Sequence, residues 1–222
     1  MSTGEPLRLA ILISGRGSNM AAIARACAKH DINAVVDVVI ADRPGAGGLD
    51  IARGFGVPTA VVPWQSLSDR AAAERLLAQM LDAYRPDVVV LAGFMRILSP
   101  EFVERYTGRM LNIHPSLLPL HRGLRTHRRV LEAGDAHHGA SVHYVTAELD
   151  GGPVVLQSRV AVNPGDTEAV ISDRVHKTEH MIYPRVIGWL ADKRLTWRAS
   201  QPWFDGKPLV TPLVEDFRDP QN

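Results

Sequence analysis

Two polar side chains, Asn112 and His114, lie two residues apart near the middle of this chain. They alternate with apolar neighbours, so on an extended strand both project from the same face. Burying them is costly unless they bind a ligand, and an imidazole exchanges protons close to neutral pH. The pair predicts a ligand site, although a strand end capped by polar residues has the same pattern. Pro115 and Pro119 then predict an irregular loop, and the sequence does not decide whether either Xaa-Pro bond is cis.

A second candidate site is the segment 14–19, which reads Ser-Gly-Arg-Gly-Ser-Asn between a predicted strand and a predicted helix. Backbone amides and a helix N-terminus meet there at the carboxyl edge of a sheet, where anions bind. The segment lacks the Gly-Lys-Ser/Thr of a Walker A loop and the last small residue of the dinucleotide fingerprint. Gly17, Ser18 and Asn19 therefore favour a monophosphate. A structural glycine turn, or a dinucleotide site with Asp42 as its ribose-binding acid, are the alternatives.

A third pattern points to a different class of enzyme. Residues 176–180 read His-Lys-Thr-Glu-His on a predicted helix, which is the inverted zinc-peptidase motif. Two histidines four residues apart, His176 and His180, could share a metal ion. The motif is short, no third ligand is evident, and nine histidines make chance matches common. A zinc hydrolase therefore remains an alternative function, from a different class of enzyme.

The elements that carry these residues alternate between short apolar runs and amphipathic segments. Strands are predicted at residues 7–13, 35–40, 59–62, 87–92 and 110–114, with helices between them. This alternation predicts a three-layer α/β fold around a mainly parallel, twisted sheet. Residues 141–145 and 154–162 are separated only by a loop, which predicts an antiparallel pair at one edge. A long helix follows at about residues 167–191, and we expect Pro184 to kink it.

The composition is that of an ordinary globular protein. The 222 residues are 45% hydrophobic and 22% charged. We expect a single domain over residues 1–222, with a core at about 7–195 and an irregular C-terminal extension at 196–222 that holds an ordered patch followed by a frayed tail. The 25 basic and 24 acidic residues nearly cancel, so no nucleic-acid partner is expected. One cysteine, no apolar run of membrane length and no signal-peptide pattern predict a cytoplasmic protein without a membrane partner. The sequence leaves open whether the chain forms a homodimer.

Several longer motifs resemble those of a known family. They are the segment 14–19, Ala-Gly-Phe-Met-Arg-Ile-Leu at 92–98, Asn-Ile-His-Pro-Ser-Leu-Leu-Pro at 112–119, Ser-Val-His at 141–143 and Glu-Leu-Asp-Gly-Gly-Pro at 148–153. In this order and at these separations, the chain resembles the folate-dependent formyltransferases, and most closely those members that formylate glycinamide ribonucleotide. The resemblance extends to about residue 195 and implies the Rossmann-like formyltransferase fold.

The resemblance implies transfer of a formyl group from 10-formyltetrahydrofolate, the co-substrate, to the amine of glycinamide ribonucleotide in de novo purine biosynthesis. By the family pattern, His114 is the general acid and Asn112 helps to hold the oxyanion of the tetrahedral intermediate. Asp150 lies beside the histidine and favours its charged form. No metal is implied, because the imidazolium supplies the positive charge.

The resemblance also implies ligand contacts at positions that match the family's. Gly17, Ser18 and Asn19 match the residues that hold the substrate phosphate, and Glu179 matches the residue that meets the substrate amine. The folate contacts are implied at Arg70, Met95, Arg96, Ile97 and Leu98, together with Asn112 and Asp150. On spacing alone, Arg70 and Glu179 could equally be solvated helix charges.

One departure from the family pattern concerns the loop after Pro119. Arg122 occupies a position where close relatives often have proline, which predicts a local change of shape or charge. Formyltransferases that act on initiator methionyl-tRNA carry a basic Arg-Gly pair here, but they add a C-terminal β-barrel that thirty residues are too few to form. Formyltetrahydrofolate hydrolases share the Asn-His-Asp set but add an N-terminal regulatory domain. These enzymes, and other folate-dependent formyltransferases, are the alternatives within the family.

Overall fold

Eleven strands and six helices follow one another in the computed structural model, which describes residues 4–217. The strands are β1 Leu7–Ile13, β2 Ala34–Ala41, β3 Thr59–Val61, β4 Val88–Leu91, β5 Met110–His114, β6 His137–Tyr144, β7 Val154–Ala161, β8 Leu195–Arg198, β9 Gln201–Phe204, β10 Lys207–Pro208 and β11 Leu213–Phe217. The helices are α1 Ser18–Ala28, α2 Gly48–Gly54, α3 Arg70–Tyr84, α4 Pro100–Arg105, α5 Thr126–Ala133 and α6 Glu168–Ala191.

Eight of the strands form one sheet in the order β11-β7-β6-β5-β4-β1-β2-β3. All neighbours pair in parallel except β6, which is antiparallel to both β5 and β7. The predicted mainly parallel sheet with an antiparallel pair towards one edge is confirmed. Parallel strands need crossover helices on both faces, and that requirement explains the near-continuous apolar runs in β1 and β4.

Side chains of β1 show how the core divides into two layers. Leu9, Ile11 and Ile13 belong to a buried cluster that also contains residues of α1, α2 and α6. Ala10 and Leu12 point to the other face, into a cluster with residues of α3 and α4. Because strand residues alternate between faces, each strand anchors both helical layers. The three-layer α/β fold is therefore confirmed.

The predicted long helix is α6, which runs without interruption through Pro184. Thr167 caps its first turn by accepting a hydrogen bond from the Val170 N–H at 3.3 Å. Within residues 4–217, no helix combines the length and apolar character needed to cross a membrane.

The chain after α6 differs from the irregular segment expected. Strands β8, β9 and β10 form a small antiparallel sheet, and β11 extends the main sheet by pairing in parallel with β7. The expected irregular backbone was wrong, because strands of two to five residues carry too little alternation to be recognised, whereas an ordered patch is present. The frayed end that we expected lies partly outside the described residues.

The strand order reverses between β1 and β4, which places a crevice at the carboxyl ends of these two strands. Ligands of open α/β sheets bind at such a switch point. The loops after β1 and β4 are joined there. The Ser14 N–H donates to the Gly93 carbonyl at 3.1 Å, and the Met95 N–H donates to Ser14 Oγ at 2.8 Å. The predicted phosphate segment and the predicted folate segment therefore lie side by side.

Candidate active site

The three residues predicted to carry the chemistry lie together beyond the carboxyl end of β5. His114 Nδ1 is 3.4 Å from Asp150 Oδ2, and both side chains are more than 90% buried. Asn112 is two residues before His114 on the same face of β5, as predicted. Asp150 arrives from the loop between β6 and β7 in a left-handed backbone conformation (φ 49°). A central strand and a distant loop thus combine an amide, an imidazole and a carboxylate.

Both ring nitrogens of His114 face hydrogen-bond acceptors. Its Nε2–H donates to the backbone carbonyl of His121 at 3.1 Å, and its Nδ1 faces Asp150. The same Asp150 Oδ2 accepts the Gly123 N–H at 2.9 Å. A protonated imidazole, which has a hydrogen on each nitrogen, matches this arrangement. The loop carrying His121 and Gly123 therefore completes the surroundings of His114.

Asn112 is oriented by a residue to which the sequence analysis gave no role, His143 on the neighbouring strand β6. The two residues are direct cross-strand partners. The His143 Nδ1–H donates to the Tyr144 carbonyl at 2.9 Å, so its Nε2 is free to accept the Asn112 Nδ2–H at 3.1 Å. Burial lowers the pKa of His143 to about 4. The neutral ring therefore fixes the orientation of the Asn112 amide. The second N–H of this amide takes no part in the contact.

A cleft lies over the first loop, at the switch point. Gly17 adopts a left-handed conformation (φ 73°) directly before α1, and no side chain caps the first turn of this helix. The N–H groups there are consequently available to an anion. Gly17, Ser18 and Asn19 all line the cleft, together with Arg16 and Arg43. These groups could bind an anion.

The wall of this cleft is connected to α6 through buried polar contacts. Asn19 Nδ2 donates to Glu179 Oε2 at 2.8 Å, and His176 lies 3.1 Å from Ser18 Oγ through its Nε2. His176 Nδ1 is 3.3 Å from Glu179 Oε2. Glu179 is 3% exposed, and burial raises its pKa, opposed by Asn19 and by the charge of His176. Glu179 is thus a buried group beneath the cleft and not a solvated helix charge.

A second cleft opens beside Asn112. The segment after β4 forms one wall with Ile97 and Leu98, and the segment 145–150 before and including Asp150 forms the other. Ile97 and Leu149 are 65% and 54% exposed. Large apolar side chains left exposed around a cleft indicate an apolar ligand surface. Asn112, His143 and Asp150 are among the polar residues that line this cleft, whereas His114 does not line it and contacts Asp150.

Arg96 belongs to both clefts. Its Nε donates to Asp42 Oδ2 at 2.6 Å, and Asp42 is 2% exposed. Asp42 therefore pairs with the Arg96 guanidinium. This contact gives Asp42 a structural role, which differs from the ribose binding considered in the dinucleotide alternative. Met95 lines the first-loop cleft, while Ile97 and Leu98 line the second. The predicted folate segment thus runs from one cleft to the other.

Arg70 is the one predicted folate contact that lines neither cleft. It lies at the start of α3, with a half-exposed side chain 3.8 Å from Glu74 Oε1. Glu74 is buried and accepts hydrogen bonds from the Ser99 N–H at 2.7 Å and the Ser99 hydroxyl at 2.6 Å. Arg70 is therefore connected to the end of the 95–98 segment only through Glu74 and Ser99.

The pair considered as zinc ligands, His176 and His180, pack edge to face with ring centroids 5.4 Å apart. His176 contacts Ser18 and Glu179, as described above. Across residues 4–217, no group of three or more His, Cys, Asp or Glu side chains is arranged so that it could hold a metal ion.

Several residues around the site were missed by the sequence analysis, and the missing signal differs for each. His143 was within a quoted motif, and its pairing with Asn112 would have followed from the register of β5 against β6. His176 was read only as a metal ligand. Arg122 forms an ion pair with Glu148, which lines the second cleft. The charge expected at position 122 therefore connects the loop after Pro119 to the loop that carries Glu148. The Leu118-Pro119 bond is cis.

An α/β sheet with an Asn-His pair at the end of β5 and an aspartate in a later loop defines a class of protein. Residues 7–187 match the family described as Formyl transferase, and the chain belongs to this family.

Particular members of the family are similar to this chain over nearly their whole length. It is 52% identical over 203 residues to the phosphoribosylglycinamide formyltransferase of Escherichia coli strain K12, covering 91% of this chain and 96% of that protein. It is 41% identical to the phosphoribosylglycinamide formyltransferase of Haemophilus influenzae, covering 91% and 95%. The solved structure of the Coxiella burnetii phosphoribosylglycinamide formyltransferase superposes with a TM-score of 0.90 at 44% identity, covering 95% of this chain and 99% of that chain.

Proposed function

We propose that this protein transfers the formyl group of 10-formyltetrahydrofolate to the amine of phosphoribosylglycinamide, giving phosphoribosyl-N-formylglycinamide and tetrahydrofolate. The reaction would serve de novo purine biosynthesis in the cytoplasm. One observation carries the proposal: Asn112, His114 and Asp150 lie together beside a cleft with an apolar rim, next to a second cleft built for an anion. The family match and the names of the most similar proteins support the same assignment.

The chemistry requires a nitrogen of the acceptor to attack the formyl carbon. A tetrahedral intermediate with a negatively charged oxygen forms, and it collapses as the bond from the formyl carbon to the folate nitrogen breaks. The acceptor amine loses a proton, and the folate nitrogen gains one. The unused N–H of Asn112 is a donor suited to the oxyanion, whereas both hydrogens of a protonated His114 ring point at acceptors, so the ring would act through its positive charge and through Asp150. Asp150 contacts His114 and lines the cleft, so it suits the transfer of a proton between them.

The two clefts suit the two substrates. The uncapped first turn of α1, with Gly17, Ser18 and Arg16 around it, suits the phosphate of the acceptor. The cleft between Ile97 and Leu149 suits the flat, partly apolar pterin, whose edge the backbone of residues 95–98 would read. An acceptor bound at the first loop and a folate bound at the second cleft would meet near Asn112.

The proposal is tested by incubating the purified protein with both substrates and measuring both products. Formylated amine should appear in equal amount to tetrahydrofolate, and omission of the acceptor should abolish tetrahydrofolate release. Release of tetrahydrofolate without formylated amine would contradict the proposal and indicate a hydrolase. Turnover of neither substrate, with stoichiometric zinc in the protein and a chelator-sensitive hydrolase activity, would favour the zinc alternative.

A further inference from the structure

The contact between His114 and the backbone carbonyl of His121 involves a loop that the sequence did not connect with catalysis. The loop joins β5 to α5, and the His121 carbonyl accepts the Nε2–H of His114 at 3.1 Å. A backbone carbonyl can only accept, so this contact fixes the hydrogen of a neutral His114 ring on Nε2. The Nδ1 atom is then the nitrogen that faces Asp150 and gains or loses a proton.

Side-chain contacts hold this carbonyl in place. His121 has a left-handed backbone (φ 52°), which is unfavourable for a residue with a Cβ unless its surroundings fix it. The His121 Nε2–H donates to Asp135 Oδ2 at 2.6 Å, and the His121 side chain is only 15% exposed. Ser116 Oγ also donates to the carbonyl of Leu120, the residue before His121, at 2.7 Å.

Asp135 is in turn fixed by the end of α5. Gly134 terminates the helix in a left-handed conformation, and the Asp135 N–H donates to the Val130 carbonyl at 3.2 Å. The carboxylate is therefore presented by a rigid helix end rather than by a free loop. This rigidity distinguishes the pair from the exposed ion pairs on the surface, which fix little.

We propose that His121 and Asp135 are positioning residues for His114. The hydrogen bond between them holds the His121 carbonyl on Nε2 of His114, which orients the ring and reserves Nδ1 for proton transfer towards Asp150. The arrangement resembles that of a catalytic triad, where an acceptor on one ring nitrogen orients the other for chemistry. The kinetic part of this inference rests on the proposed function, whereas the hydrogen position on the ring does not.

A test by pH dependence must take account of every charged group around His114. These groups come from several elements: Asp150 and His143 on one side, Asp135 and His121 on the loop side, and His127 and His138 behind. Burial lowers the pKa of His138 to about 3 and of His143 to about 4, so both stay neutral above pH 5. Removal of the His121 contact would therefore act on a ring whose other histidine neighbours are mostly uncharged.

The experiment compares Asp135→Ala, which removes the acceptor for His121, with Asp135→Asn, which keeps an oxygen acceptor. Asp135→Ala should lower kcat about tenfold, by analogy with the lower end of the effect of removing an outer partner of a metal-ligating histidine. The KM of each substrate should change less than about twofold, because neither residue lines the clefts. Asp135→Asn should restore most of the lost kcat.

The pH profile and a spectroscopic signal separate positioning from general loosening. In Asp135→Ala, the alkaline limb of the kcat profile should move to lower pH, because the His121 carbonyl that accepts the Nε2–H of the charged ring is no longer held in place. Nitrogen NMR of His114 should show the Nε2–H form in the wild type and a mixture of both tautomers in the variant. The matched control is Asp82→Ala, which removes an equally short but exposed ion pair with Arg105 on the surface and should change none of these readouts.

Several outcomes would overturn the inference. They are a kcat for Asp135→Ala within twofold of wild type, a loss that Asp82→Ala reproduces, or a His114 tautomer that does not change. An inactive wild-type protein would contradict the proposed function instead, and the NMR comparison would still decide whether Asp135 fixes the hydrogen on Nε2.

Discussion

At the scale of single residues, the histidines of this protein have different roles because their partners and their burial differ. His143 and His138 are almost completely buried, and burial lowers the pKa of both rings. His143 is therefore neutral and acts as the acceptor that orients Asn112. His114 faces two acceptors and is suited to hold two hydrogens. The position of each hydrogen follows from contacts and not from residue type.

A pH dependence of stability follows from His138. Its pKa is lowered from 6.5 to about 3, so the unfolded chain binds a proton that the folded protein does not bind between these pH values. The free energy of unfolding should therefore fall as the pH decreases below about 6.5, with a slope of up to roughly 1.4 kcal/mol per pH unit for this group. Denaturant unfolding of wild type and His138→Gln between pH 7 and 4.5 measures the slope, which should be shallower in the variant.

The neighbouring His137 provides the control for this prediction, because it is exposed. His137→Gln should leave the slope of stability against pH unchanged. Equal slopes in wild type and His138→Gln would show that the buried ring does not contribute to the acid sensitivity.

The residue scale also shows what the sequence could predict. Alternation along β5 was enough to place Asn112 and His114 on one face. Asp150 depended on the family resemblance, because no local pattern brings a residue from a loop 36 positions after His114 against that histidine. His143 was missed because its role depends on cross-strand register, which alternation alone does not give. Glu179 is a buried carboxyl group that helical spacing could not distinguish from a solvated one.

At the scale of elements, the phosphate segment depends on the approach of α2. Gly17 and Gly48 pack against each other, and a Cβ on Gly17 would lie 2.8 Å from the Gly48 Cα. The Gly48 N–H also donates to the Gly15 carbonyl at 3.0 Å. The loop is therefore supported from one side by the start of α2 and continued by α1 on the other. Only glycine combines the left-handed conformation with this close approach.

Gly17→Ala should consequently distort the anion cleft. The strained backbone and the contact with Gly48 should together lower the free energy of unfolding by about 1–3 kcal/mol. The KM for the phosphorylated amine should rise about tenfold or more, corresponding to 1.4 kcal/mol or more of binding, with a smaller change for the folate. Steady-state kinetics with each substrate varied in turn measures both effects.

The matched control is Gly47→Ala, at a neighbouring glycine with an ordinary helical backbone and open space around its Cα. It should leave the KM for the amine within about twofold of wild type, a binding change below 0.5 kcal/mol. An equal effect of the two substitutions would contradict the role given to the Gly17 contact.

The alternation of strands and helices was predictable because long buried strands and amphipathic helices carry strong periodic signals. Strands β8 to β11 carry none, because each has only two to five residues. The placement of the first loop beside the 95–98 segment follows from the strand order, and the sequence pattern does not give that order.

At the scale of the whole molecule, the small C-terminal sheet contacts the strand that carries His143. Trp197 of β8 packs against the ring of Tyr144, with ring centroids 4.7 Å apart. Trp197 also covers Gly108, where a Cβ would lie 2.3 Å from its indole ring. Gly108 has a left-handed backbone (φ 75°) just before β5. The C-terminal segment thus buttresses both strands that hold the polar residues of the site.

Gly108→Ala tests this support. The strained backbone and the collision with Trp197 should lower the free energy of unfolding by about 2–4 kcal/mol. Gly56→Ala is the control, because Gly56 has a nearly identical φ of 73° but open space around it. It should cost only about 1–2 kcal/mol. If chemical denaturation shows that Gly108→Ala and Gly56→Ala lose equal free energy of unfolding, Trp197 moves aside at no cost in stability.

The central claim, that Asn112, His114 and Asp150 perform the chemistry, is tested most directly by Asp150→Asn. Asparagine tolerates the left-handed backbone at this position and keeps an oxygen that can accept the Gly123 N–H, so the loop should retain its shape. The substitution removes only the charge beside His114.

The measurement is the formyl-transfer kcat of Asp150→Asn, taken together with the Kd of each substrate for the same variant. We predict that kcat falls about 100-fold or more, the contribution expected of acid-base catalysis, while both Kd values stay within about threefold of wild type, less than 0.7 kcal/mol. Near-normal turnover, or a loss of turnover that weaker binding fully explains, would contradict the account.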